Sequence, residues 1–374
     1  MSIRIGYDAK RAFFNTSGLG NYSRGVIEMM ARHYPENEYL LYTPSYSNKG
    51  IYNNPKVTKI RIPEKFFDKT FPSFWRSYGI TDQIKKDNID IYHGLSNELP
   101  MNIRKLKTKK IVTIHDLIFL RYPELYKAWD RKVYEKKLRY CCQVADKIVS
   151  ISEQTKKDIV DFIGTDENKI VTVYQTCNQS FKEIADESVK TLIRSKYNLP
   201  DEFLLYVGTI EKRKNLLNIV KSLTLINSAI PLVVVGRPTD YLKDIKGYIE
   251  KNNLSSRVLI YHNVSNIELP TFYQMARIFI YPSVFEGFGI PIIEALYSGV
   301  PVITSTGSCF AESGGPDSIY VSPEIPEQIA DSIDRLLSDE ILLKEIIFKG
   351  LKFVQKFDEK KIAEDMSDLY TSLA

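Results

Sequence analysis

Arg277-Ile278-Phe279-Ile280-Tyr281-Pro282-Ser283, followed by Glu286-Gly287-Phe288-Gly289-Ile290-Pro291-Ile292-Ile293-Glu294, reads as a buried strand, a glycine-bracketed turn and a short helix. The apolar run ends at proline. Pro291 suits the first helical position, where an amide proton would go unused, and Gly299-Val300-Pro301 marks the exit. A turn from strand to helix exposes backbone amides at the positive end of a helix dipole, and Gly287 and Gly289 let an anion approach the main chain. Glu286 on the loop and Glu294 early in the helix can face one crevice and accept hydrogen bonds from neutral hydroxyls, such as those of ribose and a hexose. A phosphate carrying a sugar on each side satisfies both halves of the pattern. An ordinary βα turn with solvated acids is the competing reading of the segment alone.

Outward from this unit, short β-branched runs alternate with longer helical patterns, the sign of an α/β fold with parallel layers. Strands are predicted at Ile3–Tyr7, Tyr39–Tyr42, Ile111–Ile114, Lys147–Ser150 and Ile170–Val173, then at Phe203–Val207, Leu232–Val235, Val258–Ile260, Ile278–Tyr281 and Pro301–Thr304. The alternation breaks between Val173 and Phe203, which places a domain boundary there: residues 1–185 form one doubly wound domain and 186–374 a second. A length of 374 residues suits two such domains. Ligands of such sheets bind where strand C-termini and helix N-termini converge. The tail from Pro326 reads as amphipathic helices broken at Phe357-Asp358, and the last, about 358–374, is expected to pack back on the first domain.

Composition narrows the function. Hydrophobic residues at 44% and charged residues at 26% describe a soluble globular chain, and no apolar run reaches the roughly 20 residues of a membrane span. The N-terminus lacks the long apolar stretch of a signal peptide, so a cytoplasmic protein is expected. Cys141, Cys142, Cys177 and Cys309 have neither zinc-ligand spacing nor disulfide density and read as reduced thiols. A net charge of +5 is too mild to imply nucleic acid. Two local features stand out in the N-terminal half: the basic run Arg104-Lys105-Leu106-Lys107-Thr108-Lys109-Lys110, and Lys65 to Arg76, which interleaves Phe66, Phe67, Phe71, Phe74 and Trp75 with Lys65, Lys69 and Arg76. They suit peripheral contact with an anionic membrane surface; a solvated loop beside core aromatics is the alternative.

Further candidates lie at strand ends. Thr209-Ile210-Glu211-Lys212-Arg213-Lys214-Asn215 follows a predicted strand and opens a helix, where cations oppose the dipole unless an anion sits nearby. A diphosphate supplies that anion, with Arg213 engaging two oxygens and Lys214 acting as a point charge. His115 follows Ile111–Ile114 at a sheet edge and could donate a hydrogen bond to a sugar hydroxyl or position an acceptor, against a structural role. Gly18 and Gly20, in Ser17-Gly18-Leu19-Gly20-Asn21-Tyr22, suit a loop over a phosphate or an acceptor, or a plain helix-capping turn. The three-glycine dinucleotide fingerprint is absent, so no nicotinamide cofactor is expected. No two aspartates flank a single residue and no histidine pair has ligand spacing, so no metal is expected either.

The residues Tyr206-Val207-Gly208-Thr209-Ile210-Glu211-Lys212-Arg213-Lys214-Asn215, the block from Ile280 to Thr304 and Glu312-Ser313-Gly314-Gly315 resemble the retaining glycosyltransferases of family 4, the group 1 glycosyl transferases. Ser17–Tyr22 and Thr113-Ile114-His115-Asp116 are similar to their bacterial mannosyltransferase-like branch. The resemblance covers nearly the whole chain. It implies the GT-B fold, two facing Rossmann-like domains with an interdomain cleft. It implies that Glu286 contacts hydroxyls of the donor sugar, that the Phe288-Gly289-Ile290 backbone faces sugar and phosphate, and that Glu294 holds the ribose. By the same resemblance Arg213 and Lys214 neutralise the diphosphate, His115 touches the transferred sugar, and Val264-Ser265 borders the base. Thr209 stands where some members carry a basic residue after the glycine, which leaves more of that work to Arg213 and Lys214. The implied reaction is metal-independent hexosyl transfer with retention. GDP-mannose is the favoured donor and a UDP-hexose the second. The implied acceptor is a glycan or polyprenyl-linked oligosaccharide of a surface polysaccharide such as an O-antigen or capsule repeat. A nucleotide-sugar epimerase of the same fold and a non-catalytic sugar-nucleotide-binding subunit are the rival readings.

Overall fold

The computed structural model describes residues 2–46 and 58–374, and the chain divides into two compact units. The first runs to Thr176 and regains Asp358–Ala374; the second is Cys177–Phe357. The division thus falls inside the irregular stretch that follows Val173, a few residues ahead of residue 185, and the last helix belongs with the first unit. Sequence periodicity marks where elements stop but not which sheet a connecting loop packs on.

The first unit is built on a seven-stranded parallel sheet in the order β3-β2-β1-β4-β5-β6-β7, with β1 at Arg4–Asp8, β2 at Glu38–Tyr42, β3 at Thr58–Arg61, β4 at Ile91–Gly94, β5 at Lys109–Ile114, β6 at Lys147–Ser150 and β7 at Ile170–Thr172. Ile5 pairs with Tyr39 on one side and Ile91 on the other, so chain order reverses between β1 and β4. The second unit carries a six-stranded parallel sheet, β10-β9-β8-β11-β12-β13: β8 is Leu204–Val207, β9 Leu232–Val235, β10 Val258–Tyr261, β11 Ile278–Tyr281, β12 Val302–Ser305 and β13 Ile319–Val321. Here order reverses between β8 and β11, paired through Ile278 and Leu204. Loops at such reversals splay to opposite faces of the sheet and open a crevice beyond the strand C-termini. Strands buried on both faces need continuous apolar runs, and Leu204–Tyr206, Leu232–Val234 and Ile278–Ile280 have no exposure.

The last helix, Glu359–Thr371, has its place in the first unit written into its side chains. Asp358 caps it by accepting from the Lys360 amide at 2.9 Å. Glu359 meets Arg32 at 2.8 Å and His33 at 3.0 Å on the helix Gly18–His33. At its far end the Tyr370 hydroxyl bonds the Tyr7 hydroxyl at 3.0 Å and His93 Nδ1 at 2.8 Å, while His93 Nε2 reaches Thr113 Oγ1 at 2.8 Å. Burial pushes His93 down to about 3, so the ring is neutral, with one nitrogen donating and the other accepting. Tyr370→Phe is expected to lower the urea-unfolding stability of the first unit by about 1–3 kcal/mol, because it leaves buried partners unsatisfied.

Candidate functional site

The loops after β8 and β11 meet at the sheet's reversal point. After β8, residues Lys212–Lys214 form a single 3-10 turn, and Asn215, in the left-handed region at φ 62, precedes the helix Leu216–Ser222. The cations therefore sit before the helix and not in its first turn, as the sequence suggested. Asn215 Nδ2 donates to the Pro282 carbonyl at 3.1 Å, and the Val284 amide donates to the Arg213 carbonyl at 2.9 Å, which ties the two loops together.

Glu286 is the centre of the arrangement. Its Oε1 accepts from Lys214 Nζ at 2.6 Å, Arg213 NH1 at 2.9 Å, Ser283 Oγ at 2.6 Å and Tyr281 OH at 3.2 Å. Every one of these contacts falls on Oε1; Oε2 has no partner among the described residues. Burial would raise this carboxyl, but Lys214 and Arg213 outweigh it and hold Glu286 down at about 2. Arg213 also bonds Glu211 at 2.7 Å and the Phe285 carbonyl, and Lys214 bonds the Tyr281 hydroxyl at 2.5 Å. Both predicted diphosphate cations are thus engaged with carboxylates. Two cations against Glu286 alone leave an excess of positive charge, which the more exposed Glu211 offsets through Arg213.

The glycine turn is held from behind. Cys309 donates its thiol to the Glu286 carbonyl at 3.2 Å and the Phe288 carbonyl at 3.0 Å, and Ser308 Oγ donates to the Glu286 carbonyl at 3.1 Å. Phe288 is buried against Phe357, with ring centroids 5.3 Å apart. Gly289, at φ 103, is the residue from which the helix Ile290–Tyr297 starts; a Cβ there would meet Ser313 Oγ at 3.0 Å. The amides of Gly289 and Ile290 have no hydrogen-bond partner among the described residues. Glu294, one turn further, accepts from Tyr273 OH at 2.9 Å.

The two acids that look alike in sequence are electrostatically unlike. Burial with no cation beside it pushes Glu294 up to about 7 from 4.5, with Tyr273 pulling the other way. A carboxyl whose folded pKa is raised contributes stability that is complete below pH 4.5 and lost as pH rises through about 7. Urea unfolding of the wild type is therefore expected to weaken across that window, and Glu294→Gln to flatten the slope.

Other predicted residues fall elsewhere. Val264 is half-buried in the loop after β10, the edge strand, with β9 and β8 between it and β11; the structure does not bring it to the Glu286 cluster. In the first unit Gly18 and Gly20 lie in the opening turn of the helix Gly18–His33, not in an open loop. A Cβ on Gly20 would fall 1.8 Å from the Asn15 carbonyl oxygen, so that glycine answers a packing need, while Gly18 faces open space. Arg24 closes the turn by donating to the Ala12 and Asn15 carbonyls at 2.9 and 2.8 Å.

His115, just past β5, is buried and lowered to about 4 by burial. Its Nε2 lies 2.9 Å from the Leu95 carbonyl, which can only accept, so Nε2 carries the proton and Nδ1 is an acceptor. The expected donor role is therefore replaced by an accepting one. Tyr22 meets the ring edge-on at 4.6 Å.

Sequence reasoning missed a buried ion network at the reversal point of the first sheet. Asp8, ending β1, accepts from Arg76 at 2.6 Å, and Glu98, beyond β4, pairs with Arg76 and with Lys137 at 3.0 Å. Asp8 at a strand terminus was the available signal. Arg76 stood hidden inside an aromatic run.

Residues 17–178 match the family model for Glycosyltransferase Family 4, and residues 189–353 match that for Glycosyl transferases group 1. The chain is 27% identical over 292 residues to the O-antigen chain mannosyltransferase B of Escherichia coli, taking in 76% of this chain and 74% of that protein. It is 26% identical over 297 residues to the serotype-specific mannosyltransferase WbdA of Escherichia coli, where the match takes in 76% of this chain but spans 36% of WbdA. Sucrose-phosphate synthase of Thermosynechococcus elongatus shares the fold at a TM-score of 0.81 and 20% identity, covering 99% of each chain. Anabaena HepE, solved in complex with UDP and glucose, shares it at 0.78 and 14% identity, covering 99% of this chain and 100% of that one. Since the two family models cover the two halves in order, and the Arg213-Lys214 and Glu286 loops lie inside the group 1 span, the chain belongs to the family 4, group 1 glycosyltransferases.

Proposed function

We propose that this is a cytoplasmic retaining hexosyltransferase. It moves mannose from GDP-mannose, with a UDP-hexose as second choice, to a glycan or polyprenyl-linked oligosaccharide in surface polysaccharide synthesis. One observation carries the reading: a carboxylate at a sheet reversal point is clamped through Oε1 by two cations and two hydroxyls, while Oε2 keeps its capacity to accept. A fixed, ionised acceptor of this kind suits a sugar hydroxyl, and the cations beside it suit the diphosphate to which that sugar is joined. The mannosyltransferase names of two relatives favour mannose. The complex of HepE with UDP and glucose keeps the UDP-hexose in second place.

In this reaction the bond from the anomeric carbon to the diphosphate oxygen breaks and a bond from that carbon to the acceptor oxygen forms. The acceptor's proton passes to the departing phosphate oxygen, and attack on the same face retains configuration. Negative charge grows on the leaving diphosphate, so stabilising it is the larger task. Lys214, Arg213 and the Gly289 and Ile290 amides supply that stabilisation without a divalent ion. Glu286 Oε2 orients the hexose, and Glu294, ionised above about pH 7, takes the ribose hydroxyls. In the first unit, His115 Nδ1 contributes an acceptor to carbohydrate binding.

A thermal-shift screen with GDP-, UDP-, ADP- and dTDP-sugars tests the donor, since ligand at about 100 times its Kd adds about 2.7 kcal/mol. Anomeric configuration of the product by NMR, with and without EDTA, tests retention and metal independence. An epimerised donor without transfer would favour the epimerase reading, and binding without turnover the non-catalytic one. Inverted product, or activity lost to EDTA and restored by manganese, would overturn the mechanism.

A further inference from the structure

The aromatic run of the first unit does not enter the core. Phe66 is 86% exposed, Phe67 54%, Phe71 52%, Phe74 47% and Tyr78 45%, whereas Trp75 between them is buried at 1%. Single exposed apolar residues are ordinary; a contiguous set is not. The segment consists of the helices Phe66–Thr70 and Pro72–Phe74 running into a π-turn at Trp75–Gly79. Phe71, at φ −120 and ψ 69, separates the two helices, and Phe67, Phe71, Phe74 and Tyr78 are exposed across both helices and the π-turn, while Asp68, Trp75 and Ile80 are buried. The outward rings pack on one another: Phe67 lies 4.9 Å from Phe71 and 5.4 Å from Phe74, and Phe74 lies 5.3 Å from Tyr78. They form a plate of rings.

The fold sets a basic edge beside this plate. The Met101 amide donates to the Ser77 carbonyl at 2.8 Å, and Asn102 Nδ2 donates to the Tyr78 carbonyl at 3.0 Å and Thr81 Oγ1 at 2.8 Å. The turn Ile103–Lys105 is thereby fixed next to Tyr78, with Arg104, Lys105 and Lys107 exposed. The exposed acids of the neighbourhood are already matched, Asp82 by Lys65 at 2.7 Å and Glu64 by Lys86 at 3.0 Å. Lys69, Arg104, Lys105 and Lys107 have no ion pair among the described residues. Lys110, by contrast, lies in β5 and pairs with Asp146 at 3.3 Å, so the basic run divides into a structural end and an unmatched one.

We infer that this aromatic plate and its cationic edge form a docking surface for an anionic lipid bilayer. Aromatic rings favour the headgroup level of a membrane, and unmatched lysine and arginine beside them are drawn to anionic lipids, each worth about fivefold in partitioning. This inference rests on the polyprenyl-linked acceptor of the proposed function, since such a substrate is confined to the bilayer and an enzyme held at the surface meets it there.

Flotation of the full chain with vesicles of equal parts phosphatidylglycerol and phosphatidylcholine, and with phosphatidylcholine alone, is the test. Wild type is expected to bind the anionic vesicles and to lose binding as salt is raised. F67S/F71S should weaken partitioning more than tenfold, and R104Q/K105Q about twentyfold. Donor-induced thermal shift should be unchanged in both, so failure of the donor reading is seen separately. Equal binding by wild type and both variants, or no binding to either vesicle, overturns the inference. A wild-type dimer in sedimentation that F67S/F71S renders monomeric overturns it too, by making the plate a contact between copies of this chain.

Discussion

Glu286→Gln is expected to lower kcat/KM for sugar transfer about a thousandfold while the protein stays folded. The amide keeps the shape but loses the charge, so the sugar hydroxyl loses a charge-assisted bond worth about 1.5–3 kcal/mol. Lys214 and Arg213, both nearly buried, also lose their shared counter-ion. They then reorient toward Glu211 or solvent, and the cationic face offered to the diphosphate shifts with them. The two effects together account for about 4 kcal/mol. Stability should move in a defined direction as well. A carboxyl held at about 2 contributes stability that is present above pH 4.5 and lost as pH falls toward 2, so the wild type should show an acid-side decline that the variant lacks. Steady-state kinetics beside urea unfolding at several pH values checks both parts. Wild-type turnover in Glu286→Gln would remove Glu286 from the donor site.

The strand-turn-helix unit around residue 286 was legible because its constraints are local: proline ends, glycine turns and β-branched runs constrain the backbone where they occur. The same logic located most strands and missed β3, β4 and β13. Of these, Ile91–Gly94 carries a histidine and a glycine in its short span, and Ile319–Val321 has three residues; both are strands because neighbouring strands hold them. Side-chain pairing was far less legible. That Lys214 and Arg213 clamp Glu286 depends on β8 lying beside β11, a pairing between segments some seventy residues apart that no local pattern encodes. The contrast between Glu286 and Glu294 has the same origin, since one acid gains cations and the other gains Tyr273. In the first unit, Trp75 and its phenylalanine neighbours stand in one aromatic-rich segment of sequence, yet the fold buries the tryptophan and leaves the others exposed. Hydrophobicity alone does not carry that distinction.

Lys214→Ala is expected to cut kcat by about a hundred- to a thousandfold, the usual cost of removing one preorganised charge donor from a leaving-group site. Arg213 is the one cation left on Glu286 Oε1 in that variant, beside the Ser283 and Tyr281 hydroxyls, and the carboxylate stays ionised, so donor binding should weaken less than turnover. Lys214→Arg tests whether charge or shape matters. A guanidinium keeps the charge but presents a planar fork where an ammonium now bridges Glu286 at 2.6 Å and the Tyr281 hydroxyl at 2.5 Å, so recovery should be partial. Combining Lys214→Ala with Glu286→Gln separates two explanations. If Lys214 acts through the carboxylate, the double variant should be little worse than Glu286→Gln; if it acts directly on the departing diphosphate, the two losses should multiply. The proposed mechanism requires mostly multiplicative losses, because in it the Lys214 ammonium itself meets the growing phosphate charge. Near-complete non-additivity in kcat would make Lys214 a residue that positions Glu286, and would shift leaving-group stabilisation onto Arg213 and the amides of the glycine turn.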